Sequence, residues 1–225
     1  MSERIVGLIP ALNAEESIGS VVRSAMSYVA QVVVVDDGSS DRTGAVAKEA
    51  GAVVLRHEVN RGKGGALKTG FQYAVENGFD GVITLDADGQ HLPSEIPRFV
   101  ACHRETNADL IIGGRSHLFH EMLPRRRRAN QFSAWIISVA AGTHVPDSQS
   151  GFRFYSVPLL RKVRLRTDGF DMESEVIVRA GRHRFKIVTI PIDLGFVDGQ
   201  STSHYKPLKD TLHIAWTVLR AWLRP

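Results

Sequence analysis

The stretch Gly81-Val82-Ile83-Thr84-Leu85-Asp86-Ala87-Asp88 places two carboxylates at the end of an apolar run. The run has the length and composition of a buried strand. Side chains at positions i and i+2 of an extended segment point the same way, so we expect Asp86 and Asp88 to converge. Two converging carboxylates repel each other unless a cation lies between them, and their hard oxygen ligands suit Mg²⁺ or Mn²⁺. The stretch therefore predicts a divalent-cation site, with Gln90 within reach.

Two earlier apolar runs also end in polar residues. The run from Arg4 to Ile9 leads into Pro10-Ala11-Leu12-Asn13-Ala14-Glu15-Glu16, and a run of four valines leads into Asp36-Asp37-Gly38-Ser39. A helical pattern follows each strand tip, which is the layout of an open parallel sheet that binds ligands at the carboxyl ends of its strands. A carboxylate at such a tip, Asp37 for example, is expected to contribute little to the core.

The alternation of elements continues along the chain. We predict strands at 31–35, 52–55, 81–85 and 109–113, with helices between them, and a less regular second half with a helix at 132–139 and a strand at 185–192. This order predicts an α/β fold with a Rossmann-like, doubly wound, mostly parallel sheet and flanking helices.

Length and composition narrow the function. A chain of 225 residues forms one globular domain, and its single cysteine, Cys102, excludes an intramolecular disulfide and is compatible with a reducing, cytoplasmic location. We expect no signal peptide and no spanning segment, since no apolar run reaches about 18 residues. The net charge of +4 indicates an anionic partner. Nucleic acid is disfavoured, because the chain has no base-stacking motif or recognition helix and acidic strand tips repel phosphates.

The motifs resemble those of family 2 glycosyltransferases. The first half carries this resemblance in residues 10–16, Val35-Asp36-Asp37-Gly38-Ser39, Asn60-Arg61-Gly62-Lys63-Gly64-Gly65-Ala66 and Asp86-Ala87-Asp88-Gly89-Gln90-His91. In the second half, Ser150-Gly151-Phe152-Arg153, Gly169-Phe170 with Glu175, and Gly199-Gln200-Ser201 are similar to polyprenyl-phosphate sugar synthases of the dolichol-phosphate mannose synthase type. The resemblance implies a GT-A fold over residues 1–203 and an inverting transfer from a nucleotide-diphosphate sugar.

The resemblance also implies a donor site. Its predicted residues are Pro10, Asn13, Glu15, Asp37, Asp86, Asp88 and Gln90. Asp37 would lie near the base or ribose, Asp86 beside the ribose and metal, and Asp88 with Gln90 would hold the cation. A cation at Asp88 would stabilise the charge on the departing nucleoside diphosphate, which makes Asp88 a catalytic candidate. Lys63 and its glycines either cradle phosphate or allow close helix packing.

The basic residues of the chain indicate what kind of acceptor the enzyme would bind. A phosphate acceptor is largely anionic near pH 7, so it needs positioning by cations more than deprotonation. The candidates are Arg115, Arg127, Arg128, Ser201, His204 and Lys206. A hydroxyl acceptor of a polysaccharide, glycolipid or small molecule would instead require a general base, for which Asp147 is the first candidate and Glu175 the second. A third interpretation is a non-catalytic nucleotide-sugar sensor.

Residues 204–225 predict an amphipathic C-terminal helix. Its apolar face comprises Leu208, Leu212, Ala215, Trp216, Leu219, Trp222 and Leu223. Two tryptophans with basic neighbours are typical of an interfacial helix, and a lipid-phosphate acceptor favours that interpretation, with the protein peripheral at the inner face of the membrane. The Arg125 to Arg128 run would add attraction to anionic lipid. The alternative is a helix docked on its own sheet or on a second subunit of a homo-oligomer.

Overall fold

The computed structural model describes residues 3–117, 124–195 and 218, and its strands form one seven-stranded sheet in the order β3-β2-β1-β4-β6-β5-β7. The strands are β1 (Ile5–Ala11), β2 (Gln31–Asp36), β3 (Val53–Arg56), β4 (Gly81–Thr84), β5 (Leu110–Gly114), β6 (Arg153–Ser156) and β7 (Ile187–Pro191). The helices are α1 (Ile18–Ala25), α2 (Thr43–Glu49), α3 (Lys63–Glu76), α4 (Ile96–Thr106), α5 (Pro124–Ala141), α6 (Val157–Lys162) and α7 (Met172–Arg182).

The first four strands are parallel, as predicted. In the centre, Leu8 of β1 pairs with Val33 on one side and with Thr84 on the other. Helices connect these strands and cover both faces of the sheet, which is why the valine run of β2 is buried on both sides. This arrangement brings the carboxyl ends of β1, β2 and β4 to one edge.

Strand β6 runs against its neighbours. It pairs antiparallel with β4 and with β5, and Arg153 lies opposite both Thr84 and Ile112. Strand β7 returns to the parallel direction beside β5. The sheet is therefore mixed but mostly parallel, and the start of β6 lies at the same edge as the carboxyl ends of its neighbours.

Alternate side chains of each strand enter two hydrophobic cores. Val33 and Val35 pack in the core that α3, α5, α6 and α7 cover, whereas Val32 and Val34 pack in the core under α1, α2 and α4. The alternation follows from the two-residue period of a strand. The result is a three-layer α/β/α domain.

The predicted C-terminal helix and the boundary at residues 203 and 204 lie outside the described residues, with one exception. Val218 is helical, 5% exposed, and part of the core that includes residues of α3, α5 and α7. Within the described ranges, none of the helices is both long enough and apolar enough to cross a membrane.

Candidate active site

Lys63, the first residue of α3, lies at the centre of the polar edge of the sheet. Its Nζ is 2.7 Å from Asp86 Oδ1 and 3.4 Å from Glu173 Oε1. Burial alone would lower the pKa of Lys63, but the two carboxylates outweigh burial and raise that pKa. Burial would likewise raise the pKa of Asp86, whereas the Lys63 charge holds it well below its usual range. Lys63 and Asp86 are therefore a charged pair at neutral pH. The sequence pattern does not single out Glu173, which belongs to this cluster.

Glycines allow the chain to pack closely around this pair. A Cβ added at Gly151 would lie 2.8 Å from Lys63 Nζ and 3.0 Å from Asp86 Oδ2. At Gly62, which has a φ of 83°, an added Cβ would lie 2.6 Å from the carbonyl oxygen of Asp168. Of the two interpretations of the glycines around Lys63, close packing is the one that these distances support.

His91 contacts Asp86 through both of its ring nitrogens. Its Nδ1 accepts the backbone N–H of Asp86 at 3.0 Å, which leaves the ring proton on Nε2, 3.7 Å from Asp86 Oδ2. The ring packs on Phe152, with centroids 5.0 Å apart. Burial lowers the pKa of His91 because the charged ring would lose its hydration. His91 is therefore a neutral group that fixes the backbone of Asp86 and lies beside its carboxylate.

Asp88 lies in a turn and not on a strand. β4 ends two residues before Asp86, and Ala87 and Asp88 form the turn that follows. The argument that Asp86 and Asp88 converge by strand alternation is therefore wrong, because it requires an extended backbone. Asp88 Oδ1 instead accepts the backbone N–H of Gln90 at 3.0 Å, and the Gln90 carbonyl accepts the N–H of Gly195 at 2.9 Å.

The donor set of this loop fits a cation that binds together with a diphosphate. In the described part of the chain, no three His, Cys, Asp or Glu side chains form a group that could hold a metal by themselves. Mg²⁺, however, commonly uses one or two carboxylates and completes its coordination with phosphates and water. Because Asp86 Oδ1 already faces Lys63, Asp88 is the carboxylate best suited to the metal, with Gln90 beside it. The metal roles of Asp86, Asp88 and Gln90 stay a prediction.

Asp37 is a buried anchor at the end of β2. It is 4% exposed, and its Oδ1 accepts hydrogen bonds from His57 Nδ1 at 2.6 Å and from the backbone N–H of Arg61 at 2.9 Å. His57 Nε2 in turn lies 2.9 Å from Thr69 Oγ1 of α3. The expectation that a strand-tip carboxylate such as Asp37 contributes little to the core did not include these buried hydrogen bonds. Its place near the base or ribose stays a prediction, and His57 is a partner that no sequence pattern indicates.

The predicted donor residues after β1 shape their own loop. Asn13 has a φ of 50°, a left-handed conformation that Asn tolerates, and its Oδ1 accepts the backbone N–H of Ser40 at 2.9 Å. Glu15 Oε2 accepts the N–H of Arg42, the residue before α2, at 2.9 Å. Pro10 is partly buried within β1. These contacts hold two strand-end loops together, and a direct contact with the donor stays a prediction.

Arg115 and Asp147 form a bidentate pair next to β5. Arg115 Nε lies 2.9 Å from Asp147 Oδ2 and Nη2 lies 3.3 Å from Oδ1. The backbone N–H groups of Arg115 and Gln149 also donate to this carboxylate. Burial would raise the pKa of Asp147, but the guanidinium and these hydrogen bonds lower it. The roles of Arg115 at an acceptor phosphate and of Asp147 as a base stay predictions, although a carboxylate held in this way is a poor proton acceptor.

Arg153 joins the loop before β6 to α7. Its guanidinium is fully buried and donates at 2.6–2.7 Å to the carbonyl oxygens of Ser148, Ser150 and Glu173. The loop that carries Asp147 and the helix that carries Glu173 are therefore held in one frame.

Glu175 is a structural anchor. Its Oε2 accepts the backbone N–H groups of Arg166 and Thr167 at 2.9 and 3.0 Å, and its Oε1 accepts Arg179 Nε at 2.8 Å. Burial would raise the pKa of Glu175, but these hydrogen bonds lower it. Both oxygens are occupied, so this geometry does not suit the second general-base candidate.

The other predicted acceptor residues lie on α5 or outside the described residues. Arg127 is partly buried and Arg128 is exposed, both near the start of α5. Ser201, His204 and Lys206 lie outside the described residues.

The chain matches the Glycosyl transferase family 2 model over residues 8–164 and belongs to this family. It is therefore a glycosyltransferase, and its mixed, mostly parallel sheet is that of the GT-A fold.

Two relatives are named for lipid-phosphate substrates. UDP-N-acetylglucosamine–dolichyl-phosphate N-acetylglucosaminyltransferase of Methanococcus voltae is 30% identical over 216 residues, which cover 85% of this chain and 86% of that protein. Undecaprenyl-phosphate mannosyltransferase of Micrococcus luteus is 30% identical over 202 residues, covering 84% of this chain and 82% of that protein.

Solved structures support the fold. Glucosyl-3-phosphoglycerate synthase of Mycobacterium tuberculosis superposes with a TM-score of 0.74 and 21% identity, covering 100% of this chain and 82% of that chain. The same enzyme in complex with Mn²⁺, uridine diphosphate and phosphoglyceric acid has a TM-score of 0.73.

Proposed function

We propose that this glycosyltransferase moves a sugar from a nucleotide-diphosphate donor to the phosphate of a polyprenyl lipid, with inversion and with the help of Mg²⁺ or Mn²⁺. The observation that carries the proposal is the pair of fixed cations, Lys63 and Arg115, at one edge of the sheet. Asp86, which bonds to Lys63, follows β4, Arg115 follows β5, and both strands pair with β6, so the two cations lie at the same edge of the sheet. Two anionic phosphates, one from each substrate, match this arrangement.

The reaction puts negative charge on the departing nucleoside diphosphate. A bound divalent cation would stabilise that charge, with Asp88 and Gln90 as its protein ligands. Lys63 holds the Asp86 carboxylate, and His91 holds the Asp86 backbone, at the predicted donor site. Asp147 fixes the guanidinium plane of Arg115, so that its remaining N–H groups can meet the acceptor phosphate.

A phosphate acceptor also agrees with the lowered pKa values of the two candidate bases, Asp147 and Glu175. Its second pKa is about 6, so it is already nucleophilic near neutral pH and needs no general base. Asp147 and Glu175 are both held by several hydrogen bonds, and the pKa of each is lowered. Transfer to a hydroxyl, which would require one of them to take a proton, is therefore the second candidate. A non-catalytic sensor is set aside because the chain belongs to a glycosyltransferase family.

The similar enzymes from Methanococcus voltae and Micrococcus luteus support the lipid acceptor, since both are named for transfer to a polyprenyl-type phosphate. The UDP and Mn²⁺ of the Mycobacterium tuberculosis complex support the donor and the cation. With such an acceptor, the protein would work at a membrane surface, peripheral to its cytoplasmic face.

The test is an acceptor assay with the purified full chain. Nucleoside diphosphate release would be measured from a panel of nucleotide sugars with Mn²⁺, with and without a polyprenyl phosphate. Arg115→Ala should lower kcat/KM for the lipid phosphate about 100-fold with donor affinity unchanged, because a charge-assisted bidentate contact is lost. Arg115→Ala leaves the buried Asp147 carboxylate without its cation. The double variant Arg115→Ala with Asp147→Asn removes that charge as well and is the control. Transfer to hydroxyl acceptors but to no phosphate would refute the proposal.

A further inference from the structure

A cavity of about 350 Å³ lies between α5 and the two loops that carry Arg115 and Asp147. Ser116 follows Arg115 directly in the chain, and Pro146 directly precedes Asp147. The cavity is therefore next to the pair that we propose as the acceptor-phosphate site. It is lined by Ser116, Gln131, Ala134, Trp135, Ser138, His144, Val145 and Pro146.

The floor of this cavity is apolar. Ala134 is 5% exposed and Val145 is fully buried. The Ser138 hydroxyl donates to the carbonyl of Ala134 at 2.7 Å and accepts the N–H of Val145 at 2.9 Å, so it is satisfied within the protein. No Asp, Glu, Lys or Arg is among the described residues that line the cavity. The polar lining residues Gln131 and His144 are exposed, whereas the buried lining residues Ala134 and Val145 are apolar, so the inner part of the cavity suits an apolar group.

The side of the cavity that Trp135 forms continues into an exposed apolar stripe on α5. Phe132, Trp135 and Val139 lie along one face of the helix and are 53%, 62% and 66% exposed. The rings of Phe132 and Trp135 stack with centroids 6.1 Å apart. Arg127 and Arg128 lie near the N-terminal end of the same helix. An apolar stripe beside cations is typical of a surface that meets anionic lipid.

We propose that this cavity binds the first isoprene units of the acceptor, directly behind its phosphate, and that Trp135 forms the wall past which the chain leaves for the lipid. This inference rests on the proposed function and specifies the part of the acceptor that the protein holds. The volume is at the lower end of the range for small-ligand pockets, which suits a short stretch of branched hydrocarbon and leaves the rest of the chain in the membrane.

The experiment compares acceptors that share a phosphate but differ in chain length. Methyl phosphate, geranyl phosphate and farnesyl phosphate would be assayed with the full chain under one detergent condition. In the parent protein, kcat/KM should rise with chain length. Trp135→Ala should reduce the ratio of kcat/KM for farnesyl phosphate to that for methyl phosphate about tenfold, the usual size of a lost aromatic anchor. Tyr28→Ala removes another exposed aromatic ring, on the segment after α1, and should leave the ratio unchanged.

The outcomes separate this inference from the proposed function. If Trp135→Ala keeps the full gain with chain length, the cavity is not the isoprene site, although transfer to phosphate stands. If Phe132→Ala, outside the cavity lining, lowers the ratio as much as Trp135→Ala does, contact of the stripe with detergent explains the gain and the cavity inference is refuted. If the parent protein transfers sugar to none of these phosphates nor to a long polyprenyl phosphate, the proposed function fails together with it.

Discussion

Replacing Lys63 by methionine should destabilise the folded protein, because two carboxylates would lose their common cation. Lys63 is 17% exposed and lies 2.7 Å from Asp86 and 3.4 Å from Glu173. Removing one partner of a buried ion pair costs about 3–5 kcal/mol. The Asp86 side chain is 33% exposed, so water screens part of this loss, and we expect about 2–3 kcal/mol.

Urea and thermal unfolding would measure this effect. For a domain of this size, each kcal/mol shifts the Tm by about 2–4 °C, so Lys63→Met should lower it by about 4–12 °C. The difference should shrink as the pH falls below about 4. Because the folded-state pKa of Asp86 is lowered, its stabilising contribution is complete above the unfolded-state pKa and is lost progressively as the pH falls from there toward the folded-state pKa.

Lys68→Met is the matched control for Lys63→Met. It is the same substitution on the same helix, but Lys68 pairs with Asp168, whose side chain is 61% exposed. Such a surface pair contributes about 0–1 kcal/mol. Equal unfolding midpoints for the two variants at neutral pH would show that Lys63 is not the electrostatic centre of the site.

Two further predictions concern the framework and the metal. Glu175→Gln should cost about 2 kcal/mol at neutral pH, because a buried carboxylate loses charge-assisted hydrogen bonds. Since its folded-state pKa is lowered, this difference should vanish as the pH falls through that pKa, and equal losses at neutral and acidic pH would contradict it. Asp88→Ala should abolish sugar transfer, and excess EDTA should do the same to the parent. Full activity in EDTA would remove the cation from the mechanism.

The first half of the fold can be predicted from the sequence because local patterns determine it. Val32 to Val35 read as a strand buried on both faces, and a helix and a polar tip follow it, which is sufficient for a parallel sheet. The direction of β6 cannot be predicted in this way. Its four residues carry no directional signal, and only pairing with β4 and β5 fixes their orientation.

For the site, too, the sequence identifies several of the residues but not the contacts that they make. Asp86, Asp88 and Arg115 can be selected because each follows a strand. Their contacts cannot, since the extended geometry assumed for Asp88 gives way to a turn. Glu173 and His57 do not belong to a sequence motif that predicts a role in the site. Folding brings Glu173 to Lys63 and His57 to Asp37.

The reversal of β6 places the segment before it, which carries the predicted acceptor residue Asp147, at the same edge of the sheet as Asp86. The segment from 142 to 152 runs from the end of α5 to the start of β6, and Arg153 donates to the carbonyl oxygens of Ser148 and Ser150 within it. Insertions between Ser148 and Arg153 would therefore deprive a buried guanidinium of its acceptors, and a side chain at position 151 would collide with Lys63 and Asp86. The segment thus also touches the loop after β4, which belongs to the predicted donor side. We therefore expect variants with altered acceptor preference to differ in side chains of this segment and to keep its length from Ser148 to Arg153.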